Sequence, residues 1–138
     1  MPTDMIEQRA KQASPPYISA FRDMMGAFQV SGELLAHRIR DLNTWDTLML
    51  IFQNTDGAIS LSKVLKSGDR LEDVHVARKG LKVTEPVLNQ LIARAFQNEL
   101  VEDQDIKISL GSFDRKVASF GASYIGSHPP KVITFLSL

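Results

Sequence analysis

Residues 84–104 have the sequence TEPVLNQLIARAFQNELVEDQ, and this stretch decides the predicted fold. Its apolar residues recur at the spacing of one helix face; they are Val87, Leu88, Leu91, Ile92, Ala95 and Phe96. The polar residues fall on the other side: Asn89, Gln90, Arg94, Gln97 and Asn98. Thr84 can cap the helix N-terminus, and Pro86 is tolerated in the first turn, where its missing N–H costs little. The stretch predicts a helix over 84–98 with an outward-facing side of amides and one arginine.

Downstream of this helix the apolar residues recur at every second position, as is typical of strands. IKISL at 106–110 and VASFGASYIG at 117–126 both alternate in this way, and GSFDRK between them predicts a turn. A further turn at SHPP precedes KVITFLSL at 131–138, which predicts a last strand. The end of the chain therefore predicts a β-hairpin over 106–125 followed by an extra strand.

Upstream of the helix the patterns favour further helices. Apolar spacing over 17–43 indicates one long helix or two shorter ones. NTWDTLMLIFQNTDG at 43–57 is apolar almost all round, which predicts a buried helix that ends at the Asp-Gly turn. AISLSKVLKSGD at 58–69 and RLEDVHVARKGLKV at 70–83 each predict a short helix, and either can be the one that precedes the helix over 84–98. The polar residues 1–16 predict a flexible arm.

This order of elements predicts an α+β, mainly helical fold: a winged helix-turn-helix with an N-terminal helical extension, a C-terminal hairpin and an extra strand. A single domain is expected over 17–138. Several helices form the core, the helix over 84–98 is the last of them, and the hairpin over 106–125 is the wing.

Three segments resemble the MarR-type winged-helix transcription regulators over about residues 42–126. LNTWDTLMLIF resembles the first core helix of that family, TEPVLNQLIARAFQNELVE its recognition helix, and SFDRK the tip of its wing. The resemblance implies a DNA-binding homodimer that regulates transcription and whose activity a small-molecule effector can control. Two features depart from the family: Glu99 replaces the usual glycine, and KVITFLSL stands where long dimerisation helices are usual. The helical segment 17–43 is therefore the expected dimerisation element.

The polar face of the predicted recognition helix has the side chains needed for reading base edges, because Asn and Gln pair with adenine and Arg with guanine. The candidate base-reading residues are Asn89, Gln90, Arg94 and Gln97. The candidate phosphate contacts before and within the helix start are Arg78, Lys79, Lys82 and Thr84. At the wing tip, Arg115 and Lys116 are expected to reach the minor groove. Against this interpretation, Glu85 and Glu99 would repel phosphate, and most amphipathic helices are simply solvated on their polar side.

Composition limits the remaining classes of protein. The chain has 138 residues, 43% hydrophobic and 23% charged, and a formal net charge of zero, which suits one globular domain. Cysteine is absent, which excludes disulfides and thiolate chemistry. No secretory signal is evident, and no apolar run approaches the roughly 18 residues of a membrane helix. A cytoplasmic protein without a membrane partner is expected.

The sequence predicts no enzyme, no cofactor and no metal. His37, His75 and His128 lie far apart in unlike contexts, and neither a nucleophile elbow nor a phosphate-cradling glycine loop is present. The main hypothesis is a regulator that binds double-stranded DNA sequence-specifically through 84–98 and the wing. The alternative is a winged-helix adaptor that binds a partner protein through its hairpin and the edge of its C-terminal strand.

Overall fold

A computed structural model of the chain describes residues 3–71, 74–76, 78–126 and 128–138, except the side chains of Thr3 and Arg70. The described part contains four α-helices and a five-stranded antiparallel sheet. Strands make up 39% and helices 33%, so the α+β class is confirmed but the prediction of a mainly helical fold is wrong. The sheet, rather than a helical core, organises the molecule.

The sheet is continuous and fully antiparallel. In chain order its strands are β1 (Thr47–Thr55), β2 (Ala58–Ser67), β3 (Val101–Leu110), β4 (Phe113–Gly126) and β5 (Lys131–Ser137). Across the sheet the order is β2-β1-β5-β4-β3. The last strand of the chain therefore lies in the centre, where both of its edges are paired, and β2 and β3 are the outer strands.

Three helices cover one face of the sheet: α1 (Thr3–Lys11), α2 (Ile18–Phe28) and α3 (Gly32–Leu42). Their buried side chains form one core with alternate residues of the strands, among them Phe21, Leu35, Met49 and Phe135. Trp45 ties this layer together, because its Nε1 donates a hydrogen bond of 2.8 Å to the carbonyl of Ala10 and its ring stacks on Tyr17. Of the two alternatives for 17–43, one long helix or two shorter ones, the structure has the two shorter helices. The segment expected to be a flexible arm contains α1.

A fourth helix, α4 (Pro86–Phe96), covers the other face. Its buried residues Leu88, Leu91, Ile92 and Ala95 pack against the opposite set of strand residues, which includes Leu50 and Phe120. This confirms that the stretch over 84–98 is an amphipathic helix with its apolar side in the core. The two cores lie on opposite faces of the sheet because successive strand residues point to opposite sides.

The prediction of a buried helix over 43–57 is wrong, because this segment forms β1. Leu48, Leu50 and Phe52 enter the core under α4, while Met49 and Ile51 enter the core under the other helices. A strand buried on both faces is apolar at every position, so its sequence cannot be distinguished from a buried helix by periodicity. Here the segment forms a strand because it pairs with β2 on one side and with β5 on the other.

The helices predicted over 58–69 and 70–83 are also absent from the described residues, which removes the helix-turn-helix. Residues 58–67 are in β2, paired with β1 in a hairpin that turns at Asp56-Gly57. Among the described residues that follow, Asp69–Leu71 form a 3₁₀ turn and Lys79 and Gly80 form a further turn. The backbone of residues 80–83 joins the outer edge of β2: the N–H of Gly80 and the carbonyl of Leu81 both bond to Leu61, and the N–H of Val83 bonds to Ile59. The prediction for 70–83 also includes Glu72, Asp73 and Ala77, which lie outside the described residues.

The predicted hairpin and last strand are confirmed, with longer strands than the alternation indicated. β3 begins at Val101 rather than Ile106, and the turn between β3 and β4 is confined to Gly111 and Ser112. The hairpin is part of the sheet rather than a separate wing. The adaptor alternative also loses its proposed docking edge, since β5 is paired on both sides by β1 and β4.

Candidate anion-binding cleft

The outer face of α4 is less available for base reading than its sequence indicated. Asn89 is half-buried, and its side-chain amide donates a hydrogen bond of 3.3 Å to the carbonyl of Val83. Gln90 and Gln97 are exposed, as is Val87, whose relative exposure is 48%. The face is thus a solvated helix side with one of its amides already committed to the backbone.

Arg94, the predicted guanine reader, is held by a carboxylate. Its Nη2 lies 2.6 Å from Glu99 Oε1 and its Nε 3.1 Å from Oε2, the two-point geometry that a guanine would otherwise take. The hydrogen bond with Glu99 raises the pKa of Arg94 and lowers that of Glu99. Glu99 occupies the position expected to hold a glycine, and it neutralises the only arginine of the face.

The N-terminus of α4 also has its own acceptor. The N-cap is Glu85, not the predicted Thr84, and its carboxylate accepts hydrogen bonds from the N–H groups of Val87 (3.0 Å) and Leu88 (2.7 Å). A carboxylate at this position satisfies the free N–H groups and the positive end of the helix dipole. A phosphate at the helix N-terminus, as predicted for Thr84, would have to displace it.

The predicted phosphate contacts upstream of α4 do come together. Arg78, Lys79, Lys82 and Thr84 line one open cleft of about 950 Å³. Gly80, Leu81 and Glu85 belong to the same segment of its lining, and the end of β3 with the following turn supplies Ser109, Leu110 and Gly111. The cleft therefore combines three cations and the Thr84 hydroxyl with one carboxylate, which already caps α4.

The position of Lys82 follows from how its segment is anchored. Val83 is buried and Leu81 half-buried, and both are hydrogen-bonded to β2 through their backbones. Because alternate residues of an extended segment point to opposite sides, Lys82 is directed away from the core and is exposed. Anchoring two apolar residues thus fixes the cation between them.

The cations of this surface lack carboxylate partners and lie close to one another. In the described chain, Arg78, Lys79, Lys82 and Arg115 make neither an ion pair nor a side-chain hydrogen bond, and all are exposed. Elsewhere several basic side chains are paired with carboxylates; examples are Lys63 and Lys131 with Glu33, Arg94 with Glu99, and Lys107 with Asp114. Others in the described chain, such as Arg38 and Lys116, have no ion pair, but they do not converge on a cleft with further cations. Clustered unpaired cations repel one another, so an anion bound among them is favoured.

The two predicted wing residues go to different sides of the hairpin. Arg115 lines shallow hollows with Val74 and His75, and these two residues also border a hollow that contains Arg78 and Lys79. The basic surface therefore continues from the cleft to Arg115. Lys116 is next to Lys107 across the two strands, and a neighbouring strand residue points to the opposite face. Lys116 is thus not part of the cleft.

Sequence reasoning missed the turn residues that complete the cleft. The sequence places Ser109 and Gly111 only in a strand and a turn, and nothing in their local pattern indicates a binding role. Asp114 lies close by, but its carboxylate already accepts a 2.6 Å hydrogen bond from Ser109 and lies 3.6 Å from Lys107. The hydrogen bond from Ser109 is the main cause of the lowered pKa of Asp114. The Ser109 hydroxyl is held in place by that bond.

None of the helices in the described part of the chain has both the length and the apolarity needed to cross a bilayer. Among the described residues, no three His, Asp or Glu side chains converge as metal ligands would.

Comparison with models of known protein families gave no match, and comparison with curated proteins gave no similar sequence.

Proposed function

We propose that this protein binds the phosphate backbone of nucleic acid through the cleft lined by Arg78, Lys79 and Lys82, with Arg115 extending the contact. The observation that carries the proposal is the convergence of exposed cations without carboxylate partners on one open cleft in a chain of zero net charge. Phosphate contacts by Lys and Arg supply most of the affinity of non-specific nucleic-acid binding.

The proposal keeps nucleic acid as the partner but moves the contact away from the outer face of α4. Asn89 and Arg94 are held within the molecule by Val83 and Glu99. Reading bases through them would require breaking both interactions, and each good base contact discriminates by only about 1–3 kcal/mol. Binding is therefore expected to depend weakly on base sequence.

The cleft also favours a backbone contact over a base-stacking contact. Its apolar lining consists of the aliphatic residues Leu81 and Leu110, and Phe113 in the adjacent hollow is 2% exposed. Proteins that bind single strands by stacking present exposed aromatic rings to successive bases. A duplex, which offers phosphates but not free base faces, is the expected ligand.

The test compares two triple variants of equal charge by fluorescence anisotropy with a labelled DNA duplex. Arg78→Ala with Lys79→Ala and Lys82→Ala removes the cleft cations and should weaken binding at least about tenfold, with a shallower salt dependence. The control, Lys11→Ala with Arg38→Ala and Arg94→Ala, removes three exposed cations elsewhere and should bind within about threefold of the wild type.

Two outcomes would overturn the proposal. One is equal loss of affinity in both variants, which would mean that only net charge matters. The other is a selective loss in the control, which would place the contact on α4 or on the other helices. Competition with inorganic phosphate distinguishes a site for one small anion from a contact with several backbone phosphates. Phosphate would displace DNA from a small-anion site at concentrations where chloride does not. DNA held by several phosphate contacts would be released equally by phosphate and by chloride of the same ionic strength.

A further inference from the structure

Two of the cleft cations, Arg78 and Lys79, lie on a tight turn over residues 78–81, which we call the basic turn. The N–H of Leu81 donates a hydrogen bond of 3.3 Å to the carbonyl of Arg78, and Gly80 has φ 93° within the turn. A positive φ of this kind suits glycine, which has no Cβ to clash. The two cations therefore stand next to each other at the point where the chain joins the edge of β2.

The residues that follow the two cations are anchored by backbone pairing with β2. The N–H of Gly80 donates to the carbonyl of Leu61, and the N–H of Leu61 donates to the carbonyl of Leu81, each at 2.8 Å. The N–H of Val83 donates to the carbonyl of Ile59 at 2.9 Å. The chain from residue 80 onward is thus fixed to the strand by its own backbone.

The residues that precede the turn are anchored by a side chain, Lys66 of β2. Its Nζ donates a hydrogen bond of 2.5 Å to the carbonyl of Val74, while the N–H of Val74 donates to the carbonyl of the buried Leu71. His75 and Val76, which come next, make no backbone–backbone hydrogen bond to another described residue. Val74 is therefore the last hydrogen-bonded anchor that the described chain shows before the turn.

Lys66 lies beside the turn whose approach it anchors. It lines a hollow of about 350 Å³ together with Val74, Val76 and both cations of the turn. Those two cations also line the cleft, so the hollow and the cleft meet at the basic turn. An ammonium close to two other cations is repelled by them. The carbonyl of Val74 offsets this repulsion, and a charged donor makes the stronger kind of hydrogen bond.

We propose that Lys66 is a positioning residue for the cleft: its hydrogen bond to Val74 fixes the basic turn, so that Arg78 and Lys79 face the phosphates. The ammonium of Lys66 is engaged by that carbonyl, so Lys66 acts through the two cations and is not itself a phosphate contact. Without the bond, the last anchor before the turn moves back to Leu71, and ordering the two cations on a ligand costs more conformational entropy. The inference rests on the proposed function for its effect on DNA affinity, whereas the anchoring of the turn is a property of the free protein.

Limited trypsin digestion of the free protein tests the anchoring, because trypsin cleaves after arginine and lysine and the basic turn contains both. Cleavage of a folded chain reports how often the cleaved segment opens. Lys66→Met keeps the unbranched stem but removes the donor, and it should speed cleavage after Arg78 and Lys79 by about tenfold. Lys66→Arg keeps a charged donor and should be cleaved within about threefold of the wild-type rate. Cleavage after Lys11, at the end of α1, should be equal in all three proteins, which distinguishes a local effect from general loosening.

Fluorescence anisotropy with the labelled duplex tests the effect on binding. Lys66→Met should bind at least about fivefold more weakly than the wild type, and Lys66→Arg should restore most of the affinity. The control for the loss of one charge is Arg38→Met, which removes an exposed cation from α3 and should bind within about twofold of the wild type.

The proposal is overturned if Lys66→Met is cleaved in the basic turn no faster than the wild type. It is also overturned if this variant is cleaved faster and yet binds the duplex as well as Arg38→Met does. If the wild type binds no duplex, the proposed nucleic-acid function fails, and the cleavage rates alone decide whether Lys66 anchors the turn.

Discussion

At the scale of single residues, Gly121 shows how tightly the helical layer packs on the sheet, and Gly26 provides the comparison. A Cβ at Gly121 of β4 would lie 2.8 Å from Ile18 Cβ and 3.2 Å from Pro16 Cβ, so α2 and the segment before it approach the strand as closely as they can. A Cβ at Gly26 of α2 would meet no atom within 4 Å. The close approach of α2 to β4 requires glycine at position 121, whereas no neighbouring atom requires glycine at position 26.

Gly121→Ala and Gly26→Ala should therefore change stability in opposite directions. The added methyl at 121 forces α2 away from the sheet and should cost about 1–3 kcal/mol. The same change at 26, within a helix, should stabilise by about 0.5–1 kcal/mol because glycine is the poorer helix former. Urea unfolding followed by Trp45 fluorescence measures both, and a neutral Gly121→Ala would contradict the packing described for α2.

His37 on α3 makes the stability of the chain depend on pH. Burial, followed by the nearby charges of Lys63 and Arg40, lowers its pKa. The unfolded chain therefore takes up this proton first as the pH falls below about 6.5, and stability is lost from there down to the folded pKa. Glu33 acts in a different window: hydrogen bonds from Lys131 and Lys63 lower its pKa, so its contribution is lost only at more acidic pH.

The variant His37→Gln should lose less stability than the wild type when the pH falls from about 7.5 to about 5.5. Glutamine keeps a polar group near the Lys63 ammonium, 3.4 Å from the His37 Nε2, but takes up no proton. Urea unfolding at a series of pH values provides the comparison. Equal losses in the two proteins over this range would show that His37 does not contribute.

At the scale of elements, the start of α4 differs from its prediction by one residue. Both Thr84 and Glu85 precede the helix, and threonine is the more usual N-cap. The backbone hydrogen bond from Val83 to Ile59 holds the preceding residues on β2, so the chain turns into the helix one residue later. Glu85 thereby receives the N–H groups of Val87 and Leu88.

Glu85→Ala should destabilise the protein by about 1 kcal/mol, because two N–H groups at the start of α4 lose their acceptor. Thr84→Ala, which removes an exposed side chain without a cap bond, should stay within about 0.5 kcal/mol of the wild type. Chemical denaturation of the two variants side by side gives the answer. The reverse order of effects would restore Thr84 as the N-cap.

The elements also show which local patterns can predict structure. The helix over 84–98 and the strands after it have clear periods of 3.6 and 2, and both were predicted correctly. β1 has no period because both of its sides are buried. The alternation of β2 is interrupted at Ser62, where the register with β1 shifts between Ile51 and Phe52. Their identity as strands depends on pairing with each other and with β5, which lies some eighty residues later in the chain.

The cleft was predictable only in part, because some of its residues are brought together by pairing between distant segments. Its cations are close together in the sequence, so their shared location required no knowledge of the fold. Ser109 and Gly111 join them because β3 returns beside α4 and its turn comes to lie near the helix start. The pairing of Arg94 with Glu99 was equally hidden, since it depends on how the chain leaves α4, where Asn98 has φ 64°.

At the scale of the whole molecule, zero net charge conceals a separation of charge. Four cations without an ion pair lie along the cleft and its continuation to Arg115, and three carboxylates without an ion pair lie at the start of β3. The two regions lie farther apart than the distance over which salt screens charges, so each interacts with ligands separately. Nucleic acid is expected at the cleft, away from these carboxylates.

Nucleic acid is expected to contact the cleft and not the outer face of α4. The most direct measurement is amide chemical-shift mapping by NMR during titration with a DNA duplex. The largest changes are predicted in 78–84 and 109–112, with Gln90, Arg94 and Gln97 nearly unchanged. Changes concentrated on α4 over 89–97, or an absence of changes in the cleft while the duplex binds, would contradict the account.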